Sequence, residues 1–216
     1  MDVDAEGKTL ADYPRPSVAV DTALLTVEHK ELVVLEARRN GGTGWALPGR
    51  IVREHERLAA AVERSLLEKA GVEGLRPRQL RVFDEPDRDP RGWVMSVAHS
   101  AVVPLDQLAT RFRDRTRLMP VANPGRLPFQ HDEIIALAVA ELRSRYLASP
   151  DPGGLLGEEF TMRDLRRVHE AVLGAKLEPD TFRRRMLKTC KLAQTRRGTE
   201  GTRGRPAELF RRSLPR

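Results

Sequence analysis

One segment constrains this chain more tightly than any other. Residues 47–72 read LPGRIVREHERLAAAVERSLLEKAGV. Pro48 and Gly49 open a polar loop. From Leu58 the apolar residues Leu58, Val62, Leu66 and Ala70 recur every fourth position, the spacing of an amphipathic helix, and Gly71 closes it. Positions 65 and 69 lie four apart, so their side chains share one helical face with Glu68 beside them.

The flanking segments supply a sheet. Ser17 to Val27 is rich in Val, Ala, Leu and Thr, and Leu32-Val33-Val34-Leu35 follows a polar turn at Glu28–Lys30, which predicts two strands joined as a hairpin. Asn40-Gly41-Gly42 marks a loop. Leu80–Phe83 and Trp93–Val103 read as further strands, the second apolar enough to be interior, with a Pro/Asp/Arg/Gly loop between them. Asp106–Phe112 predicts a short helix, and the stretch on to Pro128 reads as irregular. Asp132–Tyr146 predicts a helix.

The loop–helix segment resembles the Nudix box, whose pattern is Gly, five residues, Glu, seven residues, then Arg-Glu-aliphatic-any-Glu-Glu-any-Gly-aliphatic. Glu56, Arg64, Leu66, Glu68, Gly71 and Val72 match it without insertion, and Leu47-Pro48-Gly49 is similar to what stands before such a box. Three positions depart from it: Arg50 stands where Gly is expected, and Ser65 and Lys69 where Glu is expected. The resemblance implies an α/β/α sandwich around a mixed sheet. In Nudix hydrolases, glutamates at the last two positions hold the cations that polarise a diphosphate and help activate water. Serine is a neutral, poor ligand, and lysine places a cation where an anion should be. Glu56 and Glu68 alone make a thin site for a hard cation that prefers several oxygens. The expectation is therefore no catalytic residues, no metal site and little or no pyrophosphatase activity. Lys69 either meets a ligand phosphate in place of lost metal charge or points to solvent.

Other positions fit the same resemblance. Arg38 and Arg39 end a strand where they could reach an anion or simply be solvated. The loop Arg88-Asp89-Pro90-Arg91-Gly92 resembles that of Nudix proteins handling ADP-ribose. Phe129–Ile135 resembles the start of the last Nudix helix, with His131 read as a helix-start residue rather than a catalytic base. The candidate ligand-binding residues are Arg38, Arg39, Arg50, Glu56, Glu68, Lys69, Arg88 and Arg91.

Charge divides the chain. Residues 1–150 carry 22 Lys and Arg against 22 Asp and Glu, whereas residues 151–216 carry 16 against 9, so the whole net charge of +7 falls in the last segment. Localised positive charge marks a module that binds a polyanion. An aromatic content of 5% argues against a single-strand binder that needs stacking platforms. Ser149–Gly157 (SPDPGGLLG) reads as a linker. Beyond it, Thr161 with Asp164 forms an N-cap for a helix from Met162 to Leu173, closed by Gly174. A second helix starts at Pro179 and runs to about Thr189. In it Phe182, Met186 and Leu187 can face inward, while Arg183, Arg184, Arg185 and Lys188 cannot all do so. Leu192–Arg197 and Ala207–Arg212 predict two strands around a Gly-rich tip, which completes a winged helix.

These segments, with Arg203-Gly204-Arg205-Pro206 at the wing, resemble the Nudix-related transcriptional regulators of NAD metabolism from about Pro16 to Arg212. The fold class expected is α+β: a flexible lead-in at 1–14, a Nudix-like effector-sensing domain at 15–148, a linker at 149–158 and a winged helix DNA-binding domain at 159–216. The resemblance implies a homodimer that binds palindromic double-stranded DNA near NAD synthesis or salvage genes, with ADP-ribose or a related NAD derivative as effector and no required cofactor. Candidate DNA-binding residues are Arg163, Thr181, Arg183, Arg184, Arg185, Lys188, Arg203 and Arg205. Arginines suit this task because they bond guanine edges bidentately, and a compact cationic wing suits a narrow minor groove. Cys190 is the only cysteine, which excludes an intramolecular disulfide and a cysteine metal cluster. No apolar run has the length of a membrane span or signal peptide, so the expected location is the cytoplasm, at the nucleoid. An active ADP-ribose pyrophosphatase with a DNA-binding appendage is the competing reading, and a sequence-independent nucleoid or RNA-binding protein is a third.

Overall fold

A computed structural model of the chain describes residues 3–39, 41, 43–188, 192–195 and 208–213. Strand β1 (Ser17–Glu28) organises the N-terminal part, because its residues from Ala19 to Thr26 are all buried. A strand buried on both faces needs a layer on each side. It pairs antiparallel with β2 (Glu31–Arg38), which in turn pairs with β3 (Trp45–Ala46), and antiparallel with β4 (Gly49–Ile51). Helix α1 (Leu58–Ala70) follows, then β5 (Arg78–Phe83) and β6 (Val94–Val102). Strand β6 lies parallel to β1 and antiparallel to β5, which makes it the interior strand its apolar sequence predicts.

Alternation along β1 assigns the two layers. Val20 and Leu24 pack with Ala61, Val62, Leu66 and Ala70 of α1. Ala23 and Leu25 face the other way, onto Ile134, Ile135, Ala138 and Leu142 of helix α2 (His131–Ala148). The result is the expected α/β/α sandwich around a mixed sheet. Gly71 ends α1 in the left-handed region at φ 68°, and a Cβ there would come within 2.9 Å of the Phe112 ring. The stretch expected to be irregular contains a strand, β7 (Thr116–Pro120), which pairs antiparallel with β2. The expected short helix at Asp106–Phe112 is a 3-10 turn over Leu105–Leu108. Within the lead-in, Leu10–Asp12 forms another such turn, where the Thr9 amide donates to Asp12.

The basic segment has its own core. Strand β8 (Phe160–Thr161), helix α3 (Met162–Leu173), helix α4 (Pro179–Lys188), and strands β9 (Leu192–Gln194) and β10 (Leu209–Arg212) enclose Phe160, Leu165, Phe182, Met186 and Phe210. The three strands form one antiparallel sheet in the order β8-β10-β9. Thr161 Oγ1 accepts the Asp164 amide and Gly174 takes the left-handed C-cap, as the sequence predicts. Leu187 does not face inward; it is 45% exposed, because Phe182 and Met186 already occupy the apolar stripe of α4. Residues 189–191 and 196–207, which carry Cys190 and the wing tip with Arg203 and Arg205, lie outside the described residues.

The two parts share apolar contacts. Val168 and Val172 of α3 belong to the same buried cluster as Leu142 and Tyr146 of α2. The Pro/Gly-rich connection between them is anchored at its centre: the buried Asp151 carboxylate accepts the Tyr146 hydroxyl at 2.7 Å and the Leu155 and Leu156 amides at 2.9 and 3.0 Å, and pairs with Arg212 of β10. Among the described residues no helix is long and apolar enough to cross a membrane.

Candidate functional site

A cleft of about 400 Å³ opens over β1, β2 and β4, beside the later turns of α1 and the start of α2. Its floor is a buried polar network. Asp21, in the middle of β1, accepts the Ser96 hydroxyl at 2.6 Å and lies 3.2 Å from His131 Nε2 and 3.4 Å from Arg88 Nη2. His131 Nδ1 accepts the Leu47 amide at 2.9 Å, so the ring proton sits on Nε2, facing Asp21. Burial works to raise the Asp21 carboxyl, but His131, Ser96 and Arg88 outweigh it and hold the group below the usual carboxylate value. Gly49 makes this floor possible: a Cβ there would stand 2.0 Å from Asp21 Oδ1. Phe129 and Gln130 both take left-handed φ, 62° and 57°. That turn aims the Phe129 carbonyl at Arg88 Nη2, 2.9 Å away, and starts α2 at His131.

The walls are cationic. Arg38, Arg39, Arg50, Arg64, Lys69, Arg88 and Arg91 line the cleft, against only Asp21 and Asp89 among its carboxylates. The Phe129 ring stands among them, with the Arg39 and Arg91 guanidinium groups 5.2 and 5.3 Å from its centroid. Arg91 is held by Asp89 through a pair of hydrogen bonds at 2.9 and 2.6 Å. Burial pushes the Lys69 ammonium below its ordinary value, and neighbouring Arg50 pushes the same way. A low-dielectric pocket crowded with like charges favours an anionic occupant.

Six of the eight residues expected to bind a ligand line this cleft: Arg38, Arg39, Arg50, Lys69, Arg88 and Arg91. Glu56 and Glu68 do not, because arginines hold both. The Glu56 carboxylate accepts Arg64 Nε and Nη2, each at 2.7 Å, as well as the Arg53 amide, and these bonds lower its pKa to about 2. Glu68 pairs with Arg50 at 2.7 Å. Ser65 is fully buried, and its hydroxyl has no hydrogen-bond partner among the described residues. A divalent cation would need carboxylate oxygens free to converge. Here both glutamates of the box are ion-paired and Lys69 adds a positive charge, so the donor set does not fit such an ion. Among the described residues no three His, Cys, Asp or Glu side chains are grouped to hold a metal. Sequence reasoning missed Asp21, Ser96, Arg64 and Phe129. A carboxylate inside an apolar strand was the available signal for Asp21, since burial there requires a partner.

The second surface is α4 with the start of α3. Arg163, Thr181, Arg184 and Lys188 are exposed. Arg183 pairs with Glu208 at 2.6 Å across to the strand β10 side. Arg185 differs from the expected role: its side chain turns inward, with the guanidinium 5.6 Å from the Phe182 ring centroid, and its Nε and Nη2 are buried. Helical geometry puts Arg185 about 100° from Met186 and directly beside the buried stripe of Phe182 and Met186, whereas Arg184 lies on the opposite, exposed face.

Two family matches divide the chain at nearly the same place as the charge does. Residues 15–138 match the NUDIX domain, and residues 152–212 match the NrtR DNA-binding winged helix domain. The chain is 30% identical over 213 residues to the ADPR responsive transcriptional repressor NtrR of Acinetobacter baylyi, covering 94% of this chain and 85% of that one. The chain belongs to the NrtR family. Shewanella oneidensis NrtR, solved with a 27mer DNA, is similar in structure with a TM-score of 0.73 and 32% identity, over 91% of this chain and 93% of that one. The NUDIX domain of the same NrtR, solved with ADP ribose, matches with a TM-score of 0.53 and 26% identity, over 63% of this chain and 95% of that one.

Proposed function

We propose that the chain is a transcriptional repressor that binds double-stranded DNA through α3, α4 and the wing, and that its cleft senses ADP-ribose or a related NAD metabolite without hydrolysing it. The observation that carries this reading is the cleft itself: seven cationic side chains converge there while Arg64 and Arg50 occupy the two remaining box glutamates. Such a site holds a diphosphate by direct ion pairing. The ADP-ribose complex of the related NUDIX domain and the DNA complex of the related full chain support the two ligands. The repressor acts as a homodimer on a palindromic operator, since two-fold sites mirror protein symmetry. It controls NAD synthesis or salvage genes and works in the cytoplasm at the nucleoid.

Arg38, Arg39, Arg50, Lys69, Arg88 and Arg91 form the effector set. Arg163, Thr181, Arg183, Arg184, Lys188, Arg203 and Arg205 form the DNA set; Arg185 belongs to neither. The test is a gel-shift titration on duplex from the DNA upstream of the chain's own gene, at stated salt and with excess non-specific competitor. Sequence-specific binding that changes with ADP-ribose is expected. Rapid magnesium-dependent turnover of ADP-ribose by the chain overturns the reading in favour of a hydrolase. Arg184→Ala is expected to weaken operator binding by about 1–3 kcal/mol, roughly 5–150-fold, while leaving the calorimetric affinity for ADP-ribose unchanged.

A further inference from the structure

Where α2, α3 and α4 meet, four buried polar atoms have no hydrogen-bond partner among the described residues: Nδ1 and Nε2 of His169, and Nε and Nη2 of Arg185. Native interiors leave few such atoms, and each calls for a reason. Here they fall on two residues of one contact chain. The His169 ring, fully buried, stands edge-on to Tyr146 at 4.8 Å and to Phe182 at 5.0 Å, and Arg185 lies over the far ring. Burial, reinforced by the Arg185 charge, drops the His169 pKa to about 4, so the ring is neutral at physiological pH.

This chain of contacts joins the two functional surfaces. Helix α2 has 18 residues and so spans about 27 Å. Its first residue, His131, sits on the cleft floor against Asp21 and the Leu47 amide. Near its other end, Tyr146 touches His169 and donates its hydroxyl to Asp151, which also pairs with Arg212 of β10. His169 then touches Phe182 of α4, the helix that presents Arg184 and Lys188. A continuous helix with its aromatic contacts therefore runs from the cleft to α4, and at its last contact four buried polar atoms lack a partner among the described residues.

We propose that His169 and Arg185 are positioning residues for DNA recognition: they form a joint whose unsatisfied polar atoms keep the observed seat of α4 against α3 shallow, so that the cleft, acting through α2 and α3, can shift α4 to a second seat. The proposal rests on the sensing function proposed above. A joint of fully matched apolar groups would hold one seat more deeply, and a ligand shifts an equilibrium only by its differential affinity for the two states. The unbonded Nε and Nη2 of Arg185 supply the bias toward leaving, and the aromatic contacts supply the bias toward staying.

The joint is tested with His169→Phe, Arg185→Met and the double variant, which keep the volume and the ring contacts while removing the orphaned atoms. DNA affinity is measured on the upstream duplex with and without saturating ADP-ribose, alongside thermal melting. The expected result is a melting temperature at or above the parent's together with at least about a five-fold loss in the ratio between the two DNA affinities. By reciprocity, the effect of the duplex on ADP-ribose affinity falls by the same factor. Variants with the parent's ratio overturn the proposal. So do variants that melt lower and lose DNA affinity equally in both conditions, since that is ordinary packing. A parent chain indifferent to ADP-ribose overturns the sensing function and the joint with it; a responsive parent with equally responsive variants overturns the joint alone.

Discussion

Replacing Asp21 by asparagine is expected to destabilise the chain by about 3–5 kcal/mol, the usual cost of stripping a partner from a buried charge. At about 2–4 °C per kcal/mol for a chain of this size, the melting temperature should fall by roughly 6–20 °C. The carboxylate faces donors from three separate elements: the Ser96 hydroxyl of β6, His131 Nε2 at the head of α2 and Arg88 Nη2 from the loop before β6. Asparagine offers one oxygen and turns an amide donor toward the remaining donors. Arg88, whose side chain is 1% exposed, is then left with the Phe129 carbonyl as its acceptor. The backbone of Gly49 closes the space in which a longer side chain could compensate. The acid limb gives a second check. Because the folded carboxyl lies below its ordinary value, its stabilising contribution is complete above the unfolded value of about 3.9 and fades as pH falls through the folded one. The gap between parent and variant should therefore be full at pH 7 and shrink progressively below about pH 4 in urea unfolding curves. A variant that melts within about 2 °C of the parent at pH 7 would show that the network contributes little.

The contrast between what spacing reveals and what it hides is sharp in this chain. Helix α1 and its glycine stop were legible because one face repeats every four residues and a left-handed cap demands Gly71. Thr161 and Asp164 announced α3 because capping chemistry is local. Strand β7 was not legible: Thr116–Pro120 has five residues, with an arginine second and a proline last, and only its pairing with β2 makes it a strand. In the cleft, the arginines were found through the box and the loop resemblance. The floor was not, since Asp21 meets partners 67, 75 and 110 positions away in sequence. The inward turn of Arg185 was hidden for a related reason. Periodicity leaves room for all three adjacent arginines outside the apolar stripe, and only the packing around Phe182 and His169 turns Arg185 inward. The Pro/Gly composition of residues 149–157 likewise conceals Asp151, whose four partners come from α2, β10 and the connection itself.

Lys69→Glu is expected to weaken ADP-ribose binding by about 1.5–3 kcal/mol, roughly 10–150-fold, as loss of one charge-assisted hydrogen bond to a phosphate oxygen. Parent binding should be indifferent to EDTA. Both follow from the same electrostatics. Lys69 shares the cleft with Arg50, and burial together with that neighbour disfavours its charged form. A diphosphate would relieve this repulsion, and the Lys69 ammonium would supply the positive charge that a divalent cation supplies in a Nudix hydrolase. Glutamate at position 69 recreates one carboxylate of the box but restores no metal site. Glu56 stays locked to Arg64, Glu68 to Arg50, and the buried Ser65 hydroxyl offers no anion. The variant should accordingly lose the ligand without gaining magnesium-dependent hydrolysis. Calorimetry at 150 mM salt (buffer chosen freely), with and without EDTA, separates the cases. Parent affinity abolished by EDTA would mean that a bound cation, not the lysine, neutralises the diphosphate. Unchanged affinity in Lys69→Glu would mean that the phosphates sit nearer other cations of the cleft, such as Arg38 and Arg39.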